Sequence, residues 1–266
     1  MPMPPPSHWN RSDPGSETPR EARDLPVTAH AAMPQSNGLL AVLPDEDRLR
    51  LTSMLERVQL SAGQAIQDAG EALTHAYFPM SAIVSVLFVT ESGGSAEIAV
   101  VGREGMIGIP IFMGGGSTPA RAVVQSAGTA FRIPAGALRT EFARSQPLRQ
   151  VLLRYTQALI AQMAQIAVCN RHHTVDQQLC RWLLMRLDRG SGNNVTATQE
   201  FISHMLGVRR ESVTDAASAL QRANVIRYQR GRITVLDRPG LERGSCECYE
   251  VVRAEYERLL AADDEA

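Results

Sequence analysis

The stretch Arg209-Arg210-Glu211-Ser212, directly after Leu206-Gly207-Val208, combines residue types and spacing able to do specific chemistry. A helix starting at Arg209 carries these groups on its first turn. Arginine there can donate a bidentate pair of hydrogen bonds to guanine, and glutamate can accept from cytosine. Ser212 and the amides of the first turn suit a phosphate, assisted by the helix dipole. Thr214, Asp215 and Ser218 share the outward face, while Val213, Ala216, Ala217 and Leu220 recur at inward helical spacing. Further along, Arg230 and Arg232 flank a turn and suit neighbouring phosphates. This is the chemistry of duplex recognition rather than of catalysis.

Such groups work only if the backbone holds them in place. Thr198 to Met205 reads as a short helix with Phe201, Ile202 and Met205 inward, and Gly207 suits a left-handed residue that reverses the chain. The second helix spans 209–222 and stops at Ala223-Asn224. Val225-Ile-Arg-Tyr, the turn Gln229-Arg230-Gly231 and Arg232-Ile-Thr-Val-Leu then form a hairpin. Two short helices across a glycine turn followed by a hairpin describe a winged helix-turn-helix, with the second helix entering the major groove.

Charge agrees. The chain has no lysine, and 12 of its 27 arginines fall between Arg171 and Arg243, against 7 carboxylates in that stretch. An excess of positive charge there suits a phosphate-facing module, although the whole chain has a formal charge of only −1. No apolar run approaches the length of a membrane span, and the start lacks a basic segment followed by an apolar core. A cytoplasmic protein without membrane contact is expected.

Upstream, residues 1–36 hold 8 of the 15 prolines and read as a disordered tail. Acids at Asp45, Glu46 and Asp47 open a short helix. Residues 37–146 form a β-rich unit: Ala82-Ile-Val-Ser-Val-Leu-Phe-Val, Ala96-Glu-Ile-Ala-Val-Val and Ala122-Val-Val-Gln are short strands divided by glycine turns, as in a sandwich or jelly roll. Residues 147–170 then switch to helical period. Leu148, Leu152, Tyr155, Leu159 and Ile166 make one heptad-like seam, expected as the dimer interface; Leu153, Ile160, Met163 and Ala167 make a second, offset one. One face would cover the β unit while the other meets a partner helix. Thr174 with Gln177 three residues on signals an N-cap after a hinge at Asn170-Arg171-His172-His173. The remaining units are 171–244, the winged module, and 245–266, a helical tail expected to pack on that module.

Four cysteines do not make a disulfide framework in a chain of this size. Only Cys246-x-Cys248 is close, and it reads as local packing; Cys169 and Cys180 read as buried thiols on helices. His172-His173 read as helix-junction surface and His75 as a strand-face residue. No catalytic residue, metal or cofactor is expected.

Gly207, Arg210, Glu211, Ser212 and Val213, with Ala219-Leu-Gln and Arg230-Gly-Arg-Ile beyond, resemble the core motif of the Crp/Fnr superfamily of dimeric bacterial regulators. The likeness runs from Leu39 to Leu236. It implies an α+β protein made of a cyclic-nucleotide-binding-like jelly roll, a long dimerisation helix and a C-terminal winged helix-turn-helix. It also implies that Arg210 and Glu211 read bases and that Ser212 holds a phosphate. Expected partners are double-stranded DNA with a palindromic operator, a second copy of the chain and RNA polymerase. Asp215 stands where the cyclic-AMP receptors carry another base-reading arginine, so their operator is not carried over.

The sensor departs from the family pattern. Nucleotide-binding members grip the ribose with the glutamate of a Gly-Glu-Leu-Gly cassette and the cyclic phosphate with a following Arg-Ser-Ala. Here Gly105-Met106-Ile107-Gly108 lacks that carboxylate, and Arg121-Ala122 lacks the serine. Losing one charge-assisted bond weakens binding by about 1.5–3 kcal/mol, which argues against cyclic AMP as the signal. Glu104, Gly105, Met106 and Arg121 are the effector-pocket candidates, with the effector itself unidentified. The alternative is a regulator that still answers to cyclic AMP or cyclic GMP. The N-terminal cysteine cluster of oxygen-sensing members is missing, since the first cysteine is Cys169. A metal-dependent enzyme on a β-roll is disfavoured because His75 is the only histidine between Val58 and Pro134.

Overall fold

The computed structural model describes residues 37–260, so the proline-rich segment 1–36 lies outside the described residues. The chain opens with α1 (Gly38–Ala41), capped by the Asn37 side chain, and α2 (Asp45–Thr52). Strands β1 (Glu56–Leu60), β2 (Ala65–Gln67), β3 (His75–Pro79), β4 (Ile83–Val89) and β5 (Ser95–Val101) follow. After α3 (Pro110–Met113) come β6 (Arg121–Ser126), β7 (Gly128–Pro134) and α4 (Ala135–Arg144). Two antiparallel sheets, ordered β1-β7-β3 and β2-β6-β4-β5, face one another. The period-two pattern accounts for much of this: Ala76 and Phe78 of β3, and Ala122 and Val124 of β6, point into the core. In β4, residues Ile83–Leu87 are all buried, and Ser85 on its outer face lies against Arg186.

Helix α5 (Gln146–His172) is 27 residues long, started by Ser145, whose hydroxyl accepts from the Leu148 amide. Ile83 and Ser85 of β4 face α6 (Val175–Arg189), which begins with the Thr174–Gln177 capping box. The last segment contains β8 (Asn194–Thr196), α7 (Gln199–Leu206), α8 (Arg210–Arg222), β9 (Ile226–Gln229), β10 (Arg232–Val235), α9 (Arg238–Gly244) and α10 (Cys248–Leu260). Its antiparallel sheet, β8-β10-β9, has a third strand absent from the sequence reading. The architecture is α+β: jelly roll, long helix, winged helix-turn-helix. Among the described residues no helix is long and apolar enough to cross a membrane.

Two expectations are corrected. Helix α10 packs chiefly along α5 rather than on the winged module; Tyr256 meets Tyr155 edge to face, ring centres 6.4 Å apart. Its stripe of Cys248, Tyr249, Val252, Tyr256 and Leu259 needs an apolar surface, and α5 presents one. As a result Leu148, Leu152, Tyr155, Leu159 and Ile166, the expected dimer interface, are all buried within the single chain. They lie under β5, α4 and α10. The offset seam is the one left outside, with Leu153 at 51% and Ile160 at 58% exposure.

Candidate nucleic-acid interface and sensor junction

The two helices of the turn motif are set by local chemistry. Thr198 caps α7 by accepting from the Phe201 amide at 3.1 Å. Gly207 ends it in the left-handed region at φ 67°, a conformation that costs glycine nothing. Arg209 is extended, and α8 starts at Arg210. Val213, Ala216, Ala217 and Leu220 face inward as their spacing demands.

Arg209, Arg210, Glu211 and Asp215 are exposed, while Ser212, Thr214 and Ser218 are half-buried. Thr214 is engaged inside the motif: its hydroxyl lies 2.9 Å from Gln199 Oε1 and 3.1 Å from the Arg210 carbonyl, tying α8 to α7. The β9–β10 turn places Arg230 at φ 48° and Gly231 at φ 74°, the pair of left-handed residues a tight hairpin requires. Tyr228 anchors this wing by donating to the Ala197 carbonyl at 2.8 Å, and burial pushes its phenol up. Arg230 and Arg232 are exposed. Among the described residues Arg209, Arg210, Arg230 and Arg232 form no ion pair, so their charges remain available.

The local excess of arginine was only partly a surface property. Arg181, Arg186 and Arg189 are buried on α6. Arg186 Nη2 lies 2.6 Å from Glu97 Oε2 on β5, beside Ser85 and Gln125, with its guanidinium 3.5 Å above the Trp182 ring. Burial brings Arg186 down to about 10 despite Glu97. Arg189 Nε lies 2.6 Å from Glu104 Oε1, and Arg189 Nη2 donates to Gln162 of α5 at 3.2 Å. The pairings of Arg186 with Glu97 and of Arg189 with Glu104 and Gln162 were not legible in the sequence, because these partners lie 27 to 89 residues apart.

The four effector-pocket candidates have different surroundings. Glu104 is engaged by Arg189. Met106 is fully buried, and its carbonyl accepts from the Tyr155 hydroxyl at 2.9 Å. Gly105 lies against the Tyr155 ring, and a Cβ there would come within 2.6 Å of it. Arg121 pairs instead with Asp68 beside β2, at 2.8 Å. A cavity of about 580 Å³ opens between the Arg103-Glu104 turn, α6 and α10; of the four candidates only Glu104 lines it. His75 is half-buried on β3 beside Thr74. Cys169 and His173 of the α5–α6 junction meet Cys246 and Cys248, making a group with metal-ligand chemistry, where sequence spacing reads Cys246 and Cys248 as local packing, Cys169 as a buried thiol and His173 as junction surface.

A β-roll joined by a long helix to a winged helix-turn-helix is the architecture of a DNA-binding regulator. Residues 57–145 match the cyclic nucleotide-binding domain model and residues 177–243 the Crp-like helix-turn-helix domain model, together more than half of the chain. The chain belongs to the Crp/Fnr superfamily of transcription regulators, a family of regulators rather than enzymes. Solved structures agree on the fold. A protein assigned to the Crp/Fnr family from Eubacterium rectale superposes with a TM-score of 0.63 at 17% identity, over 79% of this chain and 98% of that one. FixK2 from Bradyrhizobium japonicum gives 0.61 at 14% identity, over 72% and 98%. The c-di-GMP responsive regulator CLP from Xanthomonas campestris gives 0.60 at 12% identity, over 72% and 99%. No curated protein matches the chain by sequence.

Proposed function

We propose that the protein is a homodimeric, sequence-specific transcription regulator of the cytoplasm, with α8 in the major groove of a palindromic operator and RNA polymerase as a downstream partner. The observation that carries this reading is the first turn of α8: exposed, unpaired arginines on a helix firmly seated on α7. In this reading Arg209, Arg210 and Glu211 meet base edges, and Ser212 with the first-turn amides holds a phosphate. Asp215 and Ser218 border that surface, Thr214 stiffens it, and Arg230 and Arg232 hold flanking phosphates. The dimer forms through the exposed α5 seam of Leu153, Ile160 and Ala167.

The test is fluorescence anisotropy of the full-length protein on DNA from its own upstream region and on genomic fragments, with scrambled competitor at two salt concentrations. Competitor-resistant binding supports the reading, and Arg210→Ala should weaken it by about 1–3 kcal/mol. Equal binding of specific and scrambled DNA across all fragments would overturn it.

The signal acts at the sensor. Retention of cyclic AMP or cyclic GMP binding despite Met106 is the second reading, favoured by the domain match of residues 57–145. Against it stand the buried Met106 and the engagement of Glu104. Calorimetry with both nucleotides, and with c-di-GMP because of the Xanthomonas relative, separates the two; absence of heat at millimolar ligand ends the nucleotide reading.

A further inference from the structure

Three parts of the chain converge at the junction between α5 and α6. Cys169 sits in the last turn of α5 and His173 is its C-cap; Cys246 lies between α9 and α10, and Cys248 opens α10. The three sulfurs and one imidazole nitrogen all lie within 4.8 Å of one another. Cys169 Sγ is 3.5 Å from Cys246 Sγ, and Cys248 Sγ is 3.3 Å from His173 Nδ1. A tetrahedral zinc ion with Zn–S bonds of about 2.3 Å separates its sulfurs by about 3.8 Å. The group therefore needs only small adjustments to close around one ion.

The surroundings are those of a ligand set rather than of a core. The three cysteines form a buried cluster of their own, separate from the main apolar core. His173 Nε2 lies 3.2 Å from Glu247 Oε1, which leaves Nδ1 facing the sulfurs; a carboxylate on the remote nitrogen is the usual way to orient a metal-bound imidazole. Gln165 donates to Cys248 Sγ at 3.2 Å, and Gln178 holds the His173 carbonyl at 2.9 Å. Arg181 is buried, makes no ion pair among the described residues, and its Nε has no hydrogen-bond partner. A buried guanidinium without a carboxylate is costly. Three thiolates around a divalent cation leave one net negative charge, which Arg181 offsets.

We propose that Cys169, His173, Cys246 and Cys248 form a closed, structural zinc site that clips the α5–α6 hinge to the start of α10. The site ties the helix descending from the sensor to the end of the DNA-binding segment. It is independent of how α8 meets DNA. A Cys169–Cys246 disulfide would leave His173, Glu247 and Cys248 without a role. An iron–sulfur cluster distributes its ligands over several irons and spreads them more widely than this group.

The experiment is elemental analysis of the full-length protein, purified with reductant and without chelator, followed by cobalt substitution. About one zinc per chain is expected in the wild type and in Cys180→Ala, whose thiol lies outside the group. Cys246→Ser and Cys248→Ser should retain less than about a tenth of that. Cobalt-loaded wild type should show thiolate-to-metal charge transfer and intense tetrahedral d–d bands, a readout that does not depend on the variants folding. The proposal is overturned by wild type that takes up no zinc or cobalt under reducing conditions, by serine variants that keep full stoichiometry, or by stoichiometric iron in zinc's place.

Discussion

Arg186 of α6 and Glu97 of β5 form an ion pair of 2.6 Å in which both side chains are almost completely buried. It joins the DNA-binding segment to the sensor of the same chain, with Gln125 donating to Glu97 and accepting from Arg186. Next to it, the turn at Gly207 approaches Ala96 of β5, with 3.6 Å between that methyl and a Cβ built on the glycine. The winged module is thus seated on its own sensor through both polar and apolar contacts.

Glu97→Gln should destabilise the protein by about 3–5 kcal/mol, because it leaves the Arg186 charge buried without its counterion. Urea unfolding measures this. A loss within about 0.5 kcal/mol, the range of ordinary surface changes, would mean that the pair is solvated in solution.

Gly105→Ala should cost about 1–3 kcal/mol, because the new methyl meets the Tyr155 ring at 2.6 Å in a packed interior. Thermal unfolding checks it, and an unchanged midpoint would show that the turn can move away from α5.

The two seams of α5 give opposite outcomes. Ile160→Glu on the exposed seam should shift the protein towards monomer in light scattering with little change in the chain's own packing. Leu152→Ala on the buried seam should lower stability by about 2–5 kcal/mol. Dimer loss from Leu152→Ala at full stability, with Ile160→Glu still dimeric, would reverse the assignment.

Tyr155 is buried with its hydroxyl on the Met106 carbonyl, and burial, with Tyr256 and Glu104 nearby, raises its phenol well above 10. The folded chain then keeps a proton that the unfolded chain releases above about pH 10. This contribution is fully present below pH 10 and is lost as pH rises past it. The unfolding free energy of wild type should therefore fall more steeply above pH 10 than that of Tyr155→Phe. Parallel curves would count against a buried, protonated phenol.

Arg230→Ala and Arg232→Ala should each weaken binding to specific and scrambled DNA alike and lower the salt slope by about 1. A change confined to one operator would make them base readers instead.

By itself the sequence determined whatever depends on neighbours a few residues apart. The Thr174–Gln177 capping box, the left-handed Gly207, the inward spacing of Val213 to Leu220 and the Arg230-Gly231 hairpin are all local, and local hydrogen bonds and sterics enforce them. The jelly roll followed from short alternating strands for the same reason. Tertiary structure alone decided which side of α5 is inside, since a helix apolar on two seams carries no information about which seam finds a cover. It alone set Arg189 on Glu104, 85 residues away, at the edge of the cavity that Glu104 lines. It also brought Cys169 to Cys246 across 77 residues. Such meetings depend on how whole helices dock, and that balance of buried area and charge pairing is written across the chain rather than in any one stretch of it.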